Sequence, residues 1–443
     1  MSVKAYSAPG KALIAGGYLV LDPLYNSYVT ALSARMHAVV QNGPSSDHSQ
    51  ITVKSPQFQG EWVYDIGTDH STIEAASASN PFLAATVSTV LGYVQPSSKF
   101  NIVVTIYSDP GFHSQENTTA VESANKHKRF LYHQQAIHEV PKTGLGLSAG
   151  LVSVVCAALL GHFGDFSQNV IHNTAQIAHC IAQKKIGSGF DVAAAVYGSI
   201  MYRRFEPSLI SLAVGGNRDG LTHLIDSDWN FNHAPCTLPP HVRILMGDIQ
   251  GGSETPKLVS KVLQWRADQP QESLAIYTAL NQANQDLMDS LAALHHHHSA
   301  NEHEYMAAIN YLHNKSIASV ELYLGLQPAL KTTLAPFLAV TDAISRIRSN
   351  LRKMTRACGA EIEPIPQTKL LNDCGTLRGC LGGVVPGAGG YDAISLLVID
   401  SSIESIVECT STDARFSRVA WLDLHEQKSG LVQERSEDYQ GLD

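Results

Sequence analysis

The sequence predicts an α+β protein built from two domains. Apolar residues alternate in short, strand-like runs through the first third of the chain, whereas residues 255–350 repeat apolar side chains with helical spacing. A polar stretch rich in Gly, Asn, Asp and Pro at 215–240 separates these parts. The 443 residues suffice for two or three domains of ordinary size. We therefore expect one domain over 1–230 and a second over 240–443.

The composition is that of an ordinary globular protein, with 44% hydrophobic residues, 16% charged residues and a formal net charge of -9. This acidic balance argues against nucleic acid as the main partner, because binding to the phosphate backbone requires a basic face. The seven cysteines are scattered and form no Cys-x-x-Cys pair, which is typical of reduced thiols in a cytosolic protein. The sequence shows neither a secretory signal nor an apolar run long enough for a membrane span. We therefore expect a cytoplasmic protein without a nucleic-acid or membrane partner.

The N-terminal elements are predicted to be strands. Residues 3–7 and 12–21 cluster apolar side chains on either side of Pro9-Gly10, as a strand, a tight turn and a second strand would. Further strand-like runs follow at Met36 to Gln41, Gln50 to Lys54, Trp62 to Asp65 and Phe100 to Tyr107. Residues 109–139 are polar and rich in His, and we interpret them as an insertion or a mobile loop.

Helices and further strands are predicted after residue 140. A glycine-rich turn at 141–150 precedes two helices, Ser148 to Phe163 and Gln168 to about Gln183. A second glycine-punctuated segment at 185–198 leads into a strand, Ser199 to Phe205. The C-terminal part has strands and glycine turns at Val242 to Asp248, Gly382 to Asp392, Ala393 to Asp400 and Arg418 to Leu424.

The glycine-rich turn at 141–150 is a candidate phosphate cradle. Glycines let the backbone approach a ligand closely, and the first N–H groups of the following helix carry partial positive charge. An ordinary loop before a helix can have the same composition, so the turn alone does not decide its role. A P-loop is excluded because Lys142 precedes the glycines. The pattern Gly144-x-Gly146-x-x-Ala149 fits a dinucleotide fingerprint, but the hydrophobic strand that must precede such a fingerprint is missing.

Three motifs, in the same order along the chain, resemble those of the GHMP small-molecule kinases. That family carries Pro-x-x-x-Gly-Leu-Gly-Ser-Ser-Ala, to which residues 141–149 are similar. Its Ala-Pro-Gly-Lys element is matched by Ala8–Lys11 and its Gly-Ala-Gly-Gly element by Gly387–Gly390. The resemblance implies an N-terminal, β-rich, ATP-binding domain with a left-handed βαβ crossover and a C-terminal ferredoxin-like domain. It also implies phosphoryl transfer from ATP to a small molecule, with Mg2+ as the metal.

By this resemblance, the glycine-rich turn holds the ATP phosphates and the metal. The expected nucleotide-binding residues are Lys142, Thr143, Gly144, Leu145, Gly146, Leu147, Ser148, Ala149 and Gly150. Ser148 occupies the position of the serine that family members place on Mg2+. Leu147 replaces the first serine of the family motif, which removes one hydroxyl but keeps the backbone N–H. We therefore expect an altered nucleotide affinity rather than a loss of activity.

The resemblance also assigns the catalytic pair and the acceptor-binding residues. Asp191 follows Gly187-Ser-Gly-Phe190 and matches the family's catalytic aspartate, and Lys11 matches the lysine that pairs with it. The acceptor is expected to carry a carboxylate and a phosphate, so it needs cations and hydroxyls. The candidate acceptor-binding residues are Tyr18, Ser188, Ser253 and Gly389, with Lys142, Arg35 and His113 as further positively charged candidates.

The metal ligands and the acceptor stay open at the level of sequence. The family's alcohol kinases supply a carboxylate to Mg2+ from the helix before the aspartate motif, and residues 178–184 contain none. Ser148, phosphate oxygens and water would then hold the metal, with Asp191 nearby. Two alternatives remain: a GHMP kinase that acts on an acceptor other than one with a carboxylate and a phosphate, or a non-catalytic sensor with this fold. The joint presence of Lys11, Ser148 and Asp191 argues against the sensor.

Overall fold

The chain divides into two compact units in the computed structural model, which describes residues 3–68, 70, 72–74, 79–135, 137, 139–140, 143–216, 219–249, 255–317, 319 and 328–442. Unit 1 contains Met1–Lys11, Thr30–Pro235 and Gln427–Asp443, and unit 2 contains Ala12–Val29 and Cys236–Glu426. No helix in the described part of the chain is long and apolar enough to cross a membrane.

The border between Pro235 and Cys236 falls inside the polar stretch at 215–240. Two segments belong to a different unit than their position in the sequence suggests, since 12–29 joins unit 2 and 427–443 joins unit 1. The observed partition therefore differs from a simple division at 230–240. A single strand can contribute its two halves to different units, and no local sequence pattern marks such a crossing.

Strands and helices come mostly in runs of one kind along the chain. The strands are β1 (Lys4–Ala15), β2 (Ser27–Asn42), β3 (Ser49–Ser55), β4 (Gly60–Ile66), β5 (Thr72–Glu74), β6 (Asn101–Ser108), β7 (Thr118–Glu122), β8 (Arg129–His133), β9 (Ile200–Arg203), β10 (Asn232–Pro235), β11 (Val242–Ile249), β12 (Cys380–Val384), β13 (Ala393–Ile399), β14 (Val419–Trp421), β15 (Glu426–Gln427) and β16 (Val432–Glu434). The helices are α1 (Pro81–Val94), α2 (Leu147–Phe163), α3 (Gln168–Gln183), α4 (Phe190–Tyr197), α5 (Ser211–Val214), α6 (Leu221–Asp226), α7 (Thr255–Asp268), α8 (Pro270–Ala300), α9 (Glu302–His313), α10 (Pro328–Cys358), α11 (Ile365–Cys374) and α12 (Ile403–Ser411).

The largest sheet has ten strands and lies mainly in unit 1. Its main path runs β10-β9-β2-β6-β3-β4-β5, while β1 pairs with both β2 and β16, and β15 pairs with β2. Strand β3 pairs with β6 in parallel, and β2 pairs with β6 antiparallel. The C-terminal strand β16 thus completes the sheet next to the N-terminal strand β1.

Strand β1 corrects the expected turn at Pro9-Gly10, because it runs without interruption from Lys4 to Ala15. Proline fits extended backbone, so Pro9 need not mark a turn. Gly10 has a packing role instead, since a Cβ there would lie 3.2 Å from the ring of Phe112 and 3.3 Å from the carbonyl oxygen of Leu145. The glycine is therefore explained by close contact with the glycine-rich turn.

Residues 118–133 form a hairpin rather than the expected mobile loop. Strands β7 and β8 pair antiparallel, with Thr118 opposite His133. Phe130 of β8 is fully buried and stacks on Tyr107 with the ring centroids 4.9 Å apart. Val121 and Tyr132 pack against the same cluster, but most other residues of the segment are polar, which explains why its composition resembles that of a loop.

Two helices of unit 1 contribute to the site, α2 through its N-terminal end and α3 through its C-terminal half. Helix α2 is buried along nearly its whole length, as expected of a helix that is apolar on all sides. Helix α3 packs beside it and buries polar side chains, among them Asn173 and His179. The buried polar groups of α3 therefore face protein rather than solvent, and they need partners there.

Unit 2 contains a four-stranded antiparallel sheet in the order β12-β13-β11-β14. An apolar cluster that includes Leu245, Leu371 and Leu396 packs against this sheet. The long helices α8 and α10 pack on each other. The helices predicted within 255–350 are confirmed wherever the structure describes that segment, and β11 and β13 confirm the strands predicted at 242–248 and 393–400.

Candidate active site

The glycine-rich turn adopts backbone conformations that favour glycine. Gly144 has a φ of +40° and Gly146 a φ of +85°, both in the left-handed region. A Cβ at Gly146 would lie 3.2 Å from Cε of Lys11, whereas a Cβ at Gly144 would meet no atom of the described residues within 4 Å. The turn therefore packs against Lys11 on one side and is open at Gly144.

The N-terminus of α2 lacks a side-chain cap and has no acidic residue in its first turn. By contrast, α1 and α3 of the same unit are capped by Asn80 and Ser167. The carbonyl of Gly146 accepts the first intrahelical hydrogen bond from the N–H of Gly150, at 3.1 Å. The N–H groups before Gly150 in the first turn of α2 have no carbonyl partner within the helix, so they favour an anion.

Lys11 is joined to this turn by two hydrogen bonds. Its Nζ donates to the carbonyl oxygen of Gly144 at 3.0 Å, and its backbone N–H donates to that of Leu145 at 3.1 Å. The side chain is half-buried, with Nζ 5.6 Å from the ring centroid of Phe190. Burial lowers the pKa of the Lys11 ammonium from its ordinary value, and the charge of Asp191 partly offsets this.

Asp191 lies in the first turn of α4. Its Oδ1 accepts a hydrogen bond from the N–H of Val192 at 3.0 Å, and its Oδ2 lies 4.0 Å from Nε2 of His179. The carboxylate does not close an ion pair with Lys11, whose ammonium bonds to Gly144 instead. The side chain is 23% exposed, so one side of the carboxylate can reach a ligand.

His179 is a site residue that the sequence reasoning missed. It is almost fully buried, and its Nε2 lies 3.1 Å from Oγ of Ser148 and 3.1 Å from Nε2 of Gln183. Burial lowers the pKa of His179, while Asp191 acts in the opposite direction. Because the amide nitrogen of Gln183 can only donate, Nε2 of His179 accepts, and the Ser148 hydroxyl donates to the same lone pair in a three-centre hydrogen bond. Ser148 thus keeps the lone pairs of its oxygen for a ligand.

The available sequence signal for His179 was the absence of a carboxylate at 178–184. His179 is the polar side chain of that segment that contacts Ser148, the expected metal ligand. The described residues hold no group of three or more His, Cys, Asp or Glu side chains that could bind a metal alone. The oxygen atoms of Ser148 and Asp191 are ligands of the kind that Mg2+ accepts, and Mg2+ usually completes its shell with phosphate and water. The donor set therefore fits Mg2+ bound together with a nucleotide.

The turn before α4 is held by two further buried side chains that the sequence reasoning missed. Tyr202 donates to the carbonyl oxygen of Ser188 at 2.8 Å, and Arg204 donates to that of Gly187 at 2.7 Å. A Cβ at Gly189, where φ is +83°, would lie 2.8 Å from the Tyr202 hydroxyl. These contacts hold the backbone at Ser188, which is half-exposed and precedes Asp191 by three residues.

Two of the expected acceptor-binding residues, Tyr18 and Gly389, lie together in unit 2. Tyr18 is buried with a left-handed φ of 63°, and its hydroxyl donates to the carbonyl oxygen of Ala388 at 2.7 Å. Gly389 has a φ of +82°, and a Cβ there would collide with the backbone of Ile362. Tyr18 therefore fixes the turn at 387–390, and Gly389 allows that turn to approach Ile362.

Two other candidates, Arg35 and His113, are enclosed elsewhere in unit 1, and two more cannot be compared with the clusters. Lys142 and Ser253 lie outside the described residues. Arg35 is buried within unit 1, where its guanidinium donates to Ser7, Gln427 and Gly430. His113 is buried against the ring of Phe58, with the centroids 4.8 Å apart. Because both of these side chains are enclosed by protein, the structure does not support their expected role in acceptor binding.

The comparisons with known proteins agree on one family. The profile of the GHMP kinases N terminal domain matches residues 120–199. The chain is 47% identical to "Phosphomevalonate kinase" of Candida albicans over 99% of its own length and 100% of that protein. The chain belongs to the phosphomevalonate kinases of the GHMP kinase family. It is also 32% identical to a phosphomevalonate kinase of Aspergillus fumigatus over 99% of its length and 98% of that protein. The kinase class predicted from the three motifs is thereby confirmed.

Solved structures show the same fold. A Lin0012 protein from Listeria innocua matches with a TM-score of 0.69 at 15% identity, covering 98% of this chain and 100% of that one. The Streptococcus pneumoniae phosphomevalonate kinase in complex with phosphomevalonate and AMPPNP matches with a TM-score of 0.62 at 15% identity, covering 96% and 99%. The predicted α+β, two-domain GHMP kinase fold is therefore confirmed.

Proposed function

We propose that the protein transfers the γ-phosphoryl group of ATP to 5-phosphomevalonate, giving ADP and 5-diphosphomevalonate, a step of the mevalonate route to isoprenoids and sterols. The observation that carries the proposal is the cluster in unit 1, where Lys11 bonds to an uncapped, glycine-rich helix N-terminus and His179 approaches both Ser148 and Asp191. Relatives that match over nearly the full length of the chain carry this enzyme's name, which supports the choice of acceptor.

The unit 1 cluster suits ATP because phosphoryl transfer depends on positioning and on neutralising charge. The backbone N–H groups from Gly144 to Gly150 would hold the phosphates, with the dipole of α2 directed at them. Ser148 and Asp191 would hold Mg2+ together with phosphate oxygens and water. When bound, Mg2+ neutralises charge on the β- and γ-phosphates. His179 keeps the Ser148 hydroxyl turned so that its oxygen faces the ligand.

The acceptor chemistry defines the roles of Lys11 and Asp191. A phosphate monoester has a second pKa of about 6, so most of the acceptor is already a dianion at neutral pH. A general base is therefore barely needed. We assign Asp191 to orienting Lys11 and the metal, and Lys11 to offsetting the repulsion between two anionic phosphates.

Tyr18, Ser188, Ser253 and Gly389 are proposed to bind the acceptor. Tyr18 bonds to the turn that contains Gly389, which supports a common role for these two residues. The seven free thiols suit a reducing compartment, and we propose the cytoplasm, although a relative from Arabidopsis thaliana is named "Phosphomevalonate kinase, peroxisomal".

One assay separates this function from its alternatives. ADP release would be measured with Mg-ATP and either 5-phosphomevalonate or mevalonate as the acceptor. We expect turnover with 5-phosphomevalonate alone. Turnover of mevalonate in its place would overturn the acceptor assignment and indicate another GHMP small-molecule kinase. Tight ligand binding without release of ADP would indicate a non-catalytic sensor.

A further inference from the structure

Unit 2 contains a cavity of about 20 Å³ beside the turn that Tyr18 holds. Apolar side chains such as Leu280 and Ile347 form its walls, and the backbones of Gly16 and Gly387 complete it. A volume of about 10–15 Å³ on this measure already admits a water-sized group. The cavity therefore has room for one hydroxyl or methyl group, but not for a whole substrate.

Asn284 of helix α8 also lines this cavity and is fully buried. Its Oδ1 accepts a hydrogen bond from the N–H of Gly16 at 3.2 Å, which defines the other branch of the amide as the donor. That donor, Nδ2, has no hydrogen-bond partner in the described part of the chain. An unpaired buried donor is costly, so its position at a cavity calls for an acceptor atom there.

The cavity adjoins the residues proposed to bind the acceptor. Gly16 and Gly17 directly precede Tyr18 in the chain, and both line the cavity. A Cβ at Gly17 would lie 3.5 Å from the carbonyl oxygen of Gly387, so the two segments touch there. A ligand that contacts Tyr18 and the 387–390 turn would therefore have the cavity as its neighbour.

We propose that the cavity receives the 3-hydroxyl group of 5-phosphomevalonate, with Nδ2 of Asn284 donating to the hydroxyl oxygen. This inference rests on the proposed function. The acceptor offers a carboxylate, a phosphate and one tertiary hydroxyl. None of the described residues that line the cavity is charged, so either anion would be buried there without a counter-charge from them, at a large cost. A neutral hydroxyl on a branched carbon needs one donor and apolar walls, which is the chemistry that Asn284 and Leu280 supply.

Asn284 would thus determine specificity for a 3-hydroxy acid. A site built to bond a substrate hydroxyl rejects the analogue without it, because the buried donor is then left unpaired. We expect the wild-type enzyme to prefer 5-phosphomevalonate over its 3-deoxy analogue by about tenfold or more in kcat/KM. The same preference is expected in calorimetric binding of the two acceptors without nucleotide.

The test compares both acceptors on the wild-type enzyme and on Asn284→Leu, which removes the donor at similar volume. The variant should lose the preference for the hydroxyl, while KM for ATP stays within about twofold of the wild type. Loss of the bond to Gly16 affects both acceptors equally, so the ratio of the two kcat/KM values isolates the hydroxyl contact. Asn284→Ala serves as the second variant if the leucine destabilises the fold.

Asn173→Leu is the matched control. Asn173 is also fully buried, but its amide already donates to the carbonyl oxygen of Ile225 at 2.9 Å in unit 1. This control should lose stability and keep the acceptor preference. If the Asn284 variants keep the full preference for 5-phosphomevalonate over its 3-deoxy analogue, the inference is overturned, and the partner of Nδ2 is a bound water. A wild-type enzyme that neither binds nor phosphorylates 5-phosphomevalonate would overturn the proposed function itself, and the inference with it.

Discussion

The clusters of the two units use different means to prepare for a ligand. In unit 1, the N–H groups of α2 are left uncapped and Lys11 and Asp191 bring opposite charges close to them. In unit 2, Tyr18 and Ile362 pack against the turn at 387–390. Among the described side chains that line the cavity, the one unpaired donor is the neutral amide of Asn284. Charge suits a triphosphate, whereas shape and a neutral hydrogen bond suit a branched carbon skeleton.

The largest effect should come from the ammonium of unit 1. We expect Lys11→Met to lower kcat/KM by about 10³, because losing one preorganised charge at a reacting phosphate removes more than a neutral donor would. Lys4→Met is the matched control, since Nζ of Lys4 also donates to a carbonyl oxygen, that of Gly161, at 2.6 Å. Steady-state kinetics of both variants measure the difference. Equal losses would assign Lys11 to stabilising the fold.

Ser148→Ala should have the next largest effect. It should lower kcat/KM by about 10² and raise the Mg2+ concentration needed for half-maximal rate. His179→Leu should shift the Mg2+ requirement in the same direction by a smaller factor. If His179 acts through the serine hydroxyl, the double variant should be no worse than Ser148→Ala. Ser153→Ala, in the same helix, is the control. Additive losses in the double variant would show that His179 acts independently of Ser148.

Asp191→Asn should lower kcat by only about tenfold, below the 10²–10⁴ typical of a general base. The reason is that the acceptor phosphate is already ionised at neutral pH. The pH profile of kcat should therefore show no acidic limb that depends on Asp191. A loss of 10² or more, accompanied by such a limb in the wild type, would make Asp191 the general base.

The smallest effects on rate should distinguish the two glycine turns. A Cβ at Gly389 collides with Ile362 at a left-handed φ, so Gly389→Ala should lower the free energy of unfolding by about 3 kcal/mol or more. The methyl group of Gly144→Ala meets no atom in the described part of the chain and should cost about 1–2 kcal/mol for its φ. Its methyl group would, however, extend into the open space proposed for phosphate and raise KM for ATP several-fold. Denaturant unfolding and ATP kinetics measure both effects.

The sequence was sufficient where function is carried by consecutive residues. The spacing of Gly144, Gly146 and Ser148, and of Gly189 and Asp191, marks two glycine turns that each begin a helix. Backbone demands of this kind are local, so they leave a local pattern. The GHMP kinase fold followed from three such patterns in order.

The supporting residues could not be found in the same way. Apart from the missing carboxylate at 178–184, the helix sequences do not distinguish His179 and Asn284 from ordinary polar positions. Their partners Ser148 and Gly16 are distant in the chain. Arg35 shows the converse, since a lone cation suggested a ligand contact but bonds instead to Ser7 and to the C-terminal segment. The roles of His179, Asn284 and Arg35 depend on contacts with residues that are distant in the sequence, and the pattern of a single sequence does not predict such contacts.

The pairing of β1 with β16 has a consequence for biosynthesis. The register places Ala5 opposite Glu434, so β1 pairs with a strand that is translated much later. Glu434 also bonds to Ser7 and to Lys128. Unit 1 therefore cannot complete its sheet before β16 has been translated, and a nascent chain that is released earlier lacks β16 beside β1. Premature termination anywhere before this strand would yield an incomplete N-terminal unit, even when every residue of the glycine-rich turn has been made.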